Sequence, residues 1–242
     1  LDKYFKKEIK SLRKEPKNKL IDYLGWHKQN EDYCFVGLPL LSGRLYGEKK
    51  SLIRDIVKKY NLDLRLTPNQ DILLCNISNK HKLNIKKALS KIGYSNLNKI
   101  NEIQRHALAC PALPLCGLAM TEAERILPSV LTRIDDLIKS LNINKSILLR
   151  MTGCPNGCTR PYMAELALVG SGQNKYQLWL GGSKNLQRLA KPYLQRMELD
   201  DLEKTLKPLL IYWKEHDSKS DFGDFVDSQS ESLIINLITE IQ

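Results

Sequence analysis

Four cysteines form two pairs in the middle of the chain, and their spacing suits a metal centre. Cys110 and Cys116 bound the loop CPALPLC, and Cys154 and Cys158 bound the turn CPNGC. Four thiolates that converge on one point can hold either a four-iron cluster or a zinc ion. The first case would make the chain part of a redox catalyst, and the second would make it a zinc-stabilised structural module.

The spacing of the pairs favours a cluster and leaves zinc, or unrelated buried cysteines, as alternatives. Structural zinc sites usually use ligands roughly two to four residues apart, a range that includes the second pair and excludes the first. Two prolines stiffen the CPALPLC loop, whereas Gly153 and Gly157 let the CPNGC backbone pass close to sulfur. Backbone N–H groups that point at sulfur would raise the potential of a bound cluster.

The composition is that of a globular protein in a reducing compartment. The 242 residues are 42% hydrophobic, enough for one or two domains with a buried core. Apolar runs stay short of the roughly 20 residues of a membrane span, and the first residues lack the apolar stretch of a secretory signal. Six cysteines are too few for a disulfide scaffold. The paired ones are therefore expected to bind metal, and Cys34 and Cys75 to be buried in strands.

A net charge of +11 suits an acidic protein partner, an anionic ligand or a nucleic acid. Much of the lysine excess lies in residues 1–20 and 80–91 rather than in one patch interleaved with aromatic residues. This distribution gives little support to a nucleic-acid groove.

The first half of the chain has most of the pattern of a ferredoxin-like unit. Residues 1–20 are charged and are predicted to be a linker arm, and residues 21–97 are predicted to be one compact unit. In that unit YCFVGLPLL, GRLYG, LDLRLT and DILLCNI are typical of strands, and EKKSLIRDIVKKY and HKLNIKKALSKIG are typical of amphipathic helices. The resulting order, β-α-β-β-α, is most of a split βαβ unit.

Residues 98–226 carry both cysteine pairs and are predicted to be a second domain. Thr121 and Glu124 have capping-box spacing, and Pro128 is predicted to break the helical pattern that follows. Strands are predicted for SILLRM, ELALVG and YQLWLGG, and a helix for DLEKTLKPLLIYWKEH. Residues 227–242 are predicted to be a C-terminal tail.

Both cysteine segments resemble the assimilatory sulfite/nitrite reductase family, whose members couple a 4Fe-4S cluster to sirohaem. The family pattern is Thr152-Gly153-Cys154, three residues, Cys158, six residues, and Glu165-Leu166-Ala167-Leu168. DYLGWH, RLTPNQ, TEAERILP, YQLWLGG and FGDF also resemble family segments, so the resemblance covers about residues 21–226. The flanks are most similar to ferredoxin-dependent sulfite reductases, although Gly117 stands where those often have proline.

The resemblance implies an α+β fold, with a ferredoxin-like half-domain followed by an α/β domain that binds the 4Fe-4S cluster and sirohaem. The four paired cysteines would bind cluster iron, and Cys158 would also bridge to the sirohaem iron. Two turns hold further cofactor-binding candidates: Asn156 and Gly157 in one, and Thr67, Asn69 and Gln70 in the other. Ordinary turn chemistry explains these residues equally well. Three arginines are candidate partners of the sirohaem carboxylates: Arg105, Arg150 and Arg160.

The implied reaction is the six-electron reduction of sulfite to sulfide with ferredoxin as donor. The basic residues that bind sulfite are expected in a missing, homologous N-terminal half, so this chain is expected to be the C-terminal portion of a longer enzyme. A nitrite reductase on the same scaffold and an NADPH-driven variant are alternatives. A zinc-stabilised nucleic-acid-binding module is the alternative from another class. A ferredoxin partner would suit the cytoplasm or the plastid stroma.

Overall fold

The computed structural model describes residues 22–239, so the predicted linker arm at residues 1–20 lies outside the described residues. The first part is an antiparallel sheet of four strands in the order β1-β2-β4-β3, with two helices. Its elements are β1 (Gly25–Lys28), β2 (Tyr33–Leu38), α1 (Gly47–Tyr60), β3 (Asp63–Leu66), β4 (Ile72–Ser78) and α2 (Lys82–Ser90).

The core of this part lies between one face of the sheet and the two helices. Val36 and Leu74 are register partners in β2 and β4, and both are fully buried. Ile53 of α1 and Ile85 of α2 pack against the same apolar cluster. The alternation in the strands and the helical spacing in α1 thus produce the expected faces.

The order of elements differs from the predicted one at two places. The GRLYG segment is not a strand, because Ser42 and Gly43 both adopt positive φ, of 53° and 71°, and close a short 3-10 turn at Leu41–Gly43. The fourth strand of the sheet is instead β1, a segment that was not predicted to be a strand and that pairs with β2.

The second part is built on a mixed sheet of five strands in the order β5-β6-β7-β8-β9. β5, β6 and β7 are parallel, and β8 and β9 continue the sheet antiparallel. The elements are α3 (Glu102–Arg105), β5 (Leu108–Ala109), α4 (Leu127–Ser140), β6 (Leu149–Thr152), β7 (Leu166–Gly172), β8 (Lys175–Leu180), β9 (Lys191–Glu198), α5 (Leu202–Asp217), α6 (Phe222–Ser228) and α7 (Glu231–Thr239). The predicted α+β fold class is confirmed.

Pro128 begins a helix instead of breaking one. It stands in the first turn of α4, where its missing N–H leaves no helical bond unmade. The predicted capping box is wrong, because the helix is preceded by Ile126 and the Thr121 hydroxyl bonds to Tyr176.

The segment predicted as a C-terminal tail is, up to residue 239, part of the main core. Ile234 and Ile238 lie one helical turn apart in α7, and both are fully buried in the cluster that includes Trp213 of α5. Each such isoleucine contributes roughly 1.5–3 kcal/mol by burial. Within residues 22–239, no helix has the length and apolar character needed to cross a bilayer.

Candidate cluster-binding site

Both cysteine pairs lie at the carboxyl edge of the mixed sheet. Cys110 directly follows β5, and Cys154 comes two residues after β6. Because β5 and β6 are adjacent and parallel, their carboxyl ends meet at one edge, where α/β sheets commonly bind ligands.

Gly153 is the residue at which the two cysteine segments interlock. Its N–H donates to the Cys110 Sγ at 3.3 Å, and its carbonyl accepts from the N–H of Met120 at 2.8 Å and of Thr121 at 3.3 Å. A Cβ added to Gly153 would lie 2.6 Å from the Cβ of Ala112. Only glycine therefore fits this crossing without movement of the first segment.

The first loop is closed by its own backbone and exposes apolar side chains. The Cys116 N–H donates to the Ala112 carbonyl at 2.7 Å, and the Ala119 N–H donates to the Cys116 carbonyl at 3.2 Å. Cys116 is half-buried, and three large apolar side chains of this segment are exposed: Leu115, Leu118 and Met120.

The second loop is a tight turn held against β6. Gly157 has φ of 68° and accepts the Arg160 N–H at 2.8 Å. The Thr159 hydroxyl donates to the Met151 carbonyl at 3.0 Å, and the Tyr162 hydroxyl donates to the Pro155 carbonyl at 2.6 Å. This turn leaves Cys158 exposed at the outer end of the site.

The four thiols differ in environment. All six cysteines lie within residues 22–239 and have free thiols; of the paired ones, Cys110 and Cys154 are buried. Burial raises the pKa of the Cys110 thiol, and the N–H of Gly153 opposes that rise. Four free thiols with a backbone N–H directed at one sulfur fit a thiolate-ligated cluster. Across residues 22–239, no three His, Cys, Asp or Glu side chains are close enough to hold a single metal ion.

The turn that joins β3 to β4 contacts both cysteine segments. The Gln70 side-chain amide donates to the Ala109 carbonyl at 2.8 Å and accepts the Ala109 N–H at 3.4 Å, as a neighbouring strand would. The Arg160 Nη2 donates to the Pro68 carbonyl at 3.0 Å. The Thr67 hydroxyl oxygen accepts the N–H groups of Asn69 and Asp71.

These contacts bear on the predicted cofactor-binding residues. The Gln70 amide and the Thr67 hydroxyl are already bonded within the protein, whereas Asn156 is exposed and Gly157 is partly exposed beside Cys158. The structure thus places Asn156 and Gly157 next to the exposed Cys158 thiol and Gln70 against the backbone of Ala109, directly before Cys110. Their assignment to sirohaem stays a prediction.

The three candidate arginines have different surroundings. The Arg105 Nη1 donates to both carboxylate oxygens of Asp22, at 3.1 and 2.9 Å. Arg150 is fully buried and donates from Nη1 to the Arg160 carbonyl, while its Nε and Nη2 have no partner among the described residues. Burial, together with nearby Arg160, lowers the pKa of Arg150 to about 10, so it stays charged at neutral pH. A buried cation with two unmade bonds fits a site that receives an acceptor or an anion.

Two buried residues support the site and were not predicted to do so. Glu165, part of the family pattern, is fully buried, and its two oxygens accept the N–H groups of Leu148 at 2.8 Å and Gly223 at 2.9 Å. It therefore ties the start of β6 to α6, and burial raises the pKa of its carboxyl. Tyr176 is fully buried in β8, and its hydroxyl contacts Thr121 and the Glu122 carbonyl. The alternation within YQLWLGG is a signal that could have placed Tyr176 on the core face, but it does not reveal what the hydroxyl contacts.

Residues 27–92 match the family described as "Nitrite/Sulfite reductase ferredoxin-like half domain". The chain is 44% identical over 94% of its length to the "Sulfite reductase [ferredoxin]" of Synechococcus elongatus. It is 38% identical over 85% of its length to a "Sulfite reductase [NADPH] hemoprotein beta-component" of Staphylococcus epidermidis. In both cases it spans 37% of the relative's length.

Two solved structures share the fold. The Mycobacterium tuberculosis NirA protein matches 88% of this chain and 41% of its own, with a TM-score of 0.73 and 19% identity. A dissimilatory sulfite reductase I matches 85% of this chain and 69% of its own, with a TM-score of 0.61 and 9% identity. The predicted resemblance to the nitrite/sulfite reductase family is confirmed by the half-domain match at residues 27–92 and by the similarity to these relatives. The curated relatives described above are sulfite reductases, and the chain spans little more than a third of their length.

Proposed function

We propose that this chain is the C-terminal part of a sulfite reductase that reduces sulfite to sulfide by six electrons, with ferredoxin as the donor. The observation that carries the proposal is the meeting of both cysteine pairs at one sheet edge, with the Gly153 N–H directed at the Cys110 sulfur. The 44% identity to a ferredoxin-named sulfite reductase supports the choice of substrate and donor.

In this proposal the four cysteines, Cys110, Cys116, Cys154 and Cys158, hold a 4Fe-4S cluster. Cys158, whose thiol is exposed, is the ligand proposed to be shared with the sirohaem iron. When bound, the cluster and sirohaem supply the electrons and the iron at which sulfite is reduced. The chain's own part is to place the thiols, to donate the Gly153 N–H to one sulfur, and to offer Arg150 as a buried cation near the exposed turn.

The remaining parts of the active site are proposed to lie in an N-terminal half of the same polypeptide. That half would supply the basic residues that bind sulfite. The net charge of +11 suits docking of an acidic ferredoxin, and such docking weakens as salt increases. We propose a cytoplasmic or plastid-stromal location, where that donor would be present.

The test uses the full polypeptide that contains this chain, produced anaerobically in cells that make sirohaem. Iron, acid-labile sulfide and zinc are determined, and the visible spectrum is recorded for the parent and for Cys158→Ser. Cys75→Ser is the matched control, because Cys75 is also a free thiol but is buried in β4 of the half-domain. Sulfide production is then measured with reduced ferredoxin at low and high salt, and nitrite is offered as a competing substrate.

The expected result is iron and sulfide in cluster ratio, with sirohaem bands that Cys158→Ser abolishes and Cys75→Ser retains. Zinc without sulfide would contradict the redox assignment and support the structural module. Faster turnover of nitrite than of sulfite would assign the chain to the nitrite branch of the family. Turnover with an NADPH-linked flavoprotein, but not with ferredoxin, would contradict the proposed donor.

A further inference from the structure

We propose that Tyr176 is a positioning residue for the cluster site, whose hydroxyl fixes the segment after Cys116 against Gly153. It would thereby set the first cysteine pair relative to the second. The inference rests on the proposed function only in treating the four cysteines as ligands of one cluster. It concerns a residue of β8 that lies outside both cysteine segments.

Tyr176 lies under the point where the cysteine segments cross. It is the register partner of Gly170 in β7, and it is fully buried. A Cβ added to Gly170 would lie 2.2 Å from the Gly153 carbonyl oxygen and 2.8 Å from the Thr121 Cγ2. The absence of a side chain at Gly170 therefore lets both segments rest directly on the sheet beside the tyrosine.

The hydroxyl of Tyr176 makes two hydrogen bonds, both to the end of the first segment. It donates to the Glu122 carbonyl at 2.7 Å. A phenol has one hydrogen, so its 3.0 Å contact with the Thr121 hydroxyl must be one in which Thr121 donates. Burial raises the pKa of Tyr176 to about 12, which keeps the donor protonated at any physiological pH.

The effect of these bonds reaches the thiols through the backbone. Thr121 and Met120 donate their N–H groups to the Gly153 carbonyl, and the Gly153 N–H donates to the Cys110 sulfur. The Thr121 carbonyl in turn accepts the Leu113 N–H at 3.4 Å, inside the CPALPLC loop. The Tyr176 hydroxyl is thus linked to the Cys110 sulfur through the backbones of Thr121 and Gly153. It is linked to the CPALPLC loop, which carries Cys116, through the Thr121 carbonyl.

Packing alone is the competing explanation for a buried tyrosine. Tyr176→Phe separates the two, because phenylalanine keeps the ring in the core and removes only the hydroxyl. Tyr94→Phe is the matched control. Tyr94 is also buried and donates to a backbone carbonyl, that of Pro39, but it lies in the half-domain.

The experiment uses the cofactor-loaded full polypeptide and has two readouts. The first is hydrogen exchange at the amides of Met120 and Thr121, and the second is the midpoint potential of the cluster. We expect Tyr176→Phe to speed exchange at both amides by about tenfold, the effect of one lost buried hydrogen bond. The potential should fall, because the N–H···S bond at Cys110 weakens. Tyr94→Phe should change neither.

Parent-like exchange and potential in Tyr176→Phe would overturn the proposal. If that variant does not fold, Thr121→Val and Thr121→Ser decide: faster exchange in the valine variant, restored by serine, supports the proposal, and equal exchange overturns it. A parent protein without an iron–sulfur cluster would contradict the proposed function, yet the exchange at Met120 and Thr121 would still test the role of Tyr176.

Discussion

The two cysteine segments meet at one sheet edge, but they are held there by different kinds of contact. Most of the bonds that brace the second segment, residues 152–163, span few residues, with longer-range bonds from Arg160 to the Pro68 carbonyl and from the Ala190 N–H to the Tyr162 carbonyl. Thr159 bonds to the Met151 carbonyl, Tyr162 to the Pro155 carbonyl, and the N–H of Arg160 to the Gly157 carbonyl. Its shape is therefore determined mainly by its own sequence and by the strand it extends.

The first segment, residues 110–126, has backbone bonds of its own, but it also depends on residues that are distant in the chain. The Gln70 amide pairs with the backbone of Ala109 just before Cys110. The Ser42 hydroxyl donates to the Glu124 carbonyl at 3.2 Å, and Arg44 forms an ion pair with the Glu124 side chain. The half-domain thus contacts the candidate cluster site, although it contains none of the four paired cysteines.

This difference predicts that the two segments respond differently to change. A locally braced turn should lose little stability when one of its several short-range hydrogen bonds is removed. A segment held by single long-range contacts should loosen when any one of them is removed, without large effects on the rest of the fold.

The largest effect is expected at Gly153, where the segments touch. Gly153→Ala would place a Cβ 2.6 Å from the Ala112 Cβ and 2.7 Å from the Thr121 carbonyl oxygen, and the latter is backbone that cannot rotate away. We expect a loss of about 3 kcal/mol or more in the free energy of unfolding. Cluster iron should also be lost, because the segments must separate. Thermal unfolding and iron analysis measure both.

Gly117→Ala is the matched control for that substitution. Gly117 lies in the first segment beside Cys116, and a Cβ added there would meet no atom within 4 Å. It should fold and load iron as the parent does. Equal damage from both substitutions would mean that the segments do not cross as described.

The sequence was informative about the second segment and about the order of most elements. CPNGC follows a recognisable strand, and Gly157 fits the tight turn that the structure shows. The first segment was less predictable, because β5 comprises only Leu108–Ala109 and has no periodicity to detect. Its pairing with β6 and its contact with Gln70 depend on tertiary structure.

One strand and one contact of the candidate site were also missed, for physical reasons. β9 begins at Lys191–Pro192 and is largely exposed, so it lacks the alternation of a half-buried strand. Thr121 has the spacing of a capping residue, but a fully buried tyrosine hydroxyl offers a partner that local sequence does not reveal. Gln70 was predicted to bind a cofactor, and that stays a prediction; its observed partner is the backbone of Ala109, directly before Cys110.

A pH effect is expected from Asp71, which supports the first segment indirectly. Its Oδ1 accepts the Leu40 N–H at 3.1 Å, next to the turn that carries Ser42. Burial raises the pKa of Asp71 to about 7 from 3.8. Between these two pKa values the folded protein keeps a proton on Asp71 that the unfolded chain has lost. The free energy of unfolding therefore falls as the pH rises from 3.8 towards about 7.

Asp71→Asn should remove that dependence. We expect the parent to lose about 2 kcal/mol between roughly pH 5 and pH 7 through this group, and the asparagine variant to be flatter by that amount. Thermal or urea unfolding across this range measures the difference. If the free energy of unfolding changed with pH by the same amount in both proteins, the raised pKa of Asp71 would be contradicted.

A smaller loss is expected when the long-range contact at Gln70 is removed. Gln70→Glu can still accept the Ala109 N–H, but it cannot donate to the Ala109 carbonyl and sets a carboxylate against it. We expect a loss of about 1.5 kcal/mol and faster amide exchange at Cys110. Gln29→Glu is the control, because Gln29 bonds to Asn76 on the exposed side of the half-domain. In Gln29→Glu, amide hydrogen exchange at Cys110 should be as slow as in the parent protein.

The smallest effect is expected for the local brace of the second segment. Thr159→Val removes the bond to the Met151 carbonyl but keeps the shape of the buried side chain. We expect a loss of about 1 kcal/mol with iron content retained. The bonds of Tyr162 and of the Arg160 N–H still close the turn. Thr159→Ser should restore the lost stability. If Thr159→Val instead released the iron and lost more stability than Gln70→Glu, the second segment would be the one that depends on a single contact, and the comparison would be reversed.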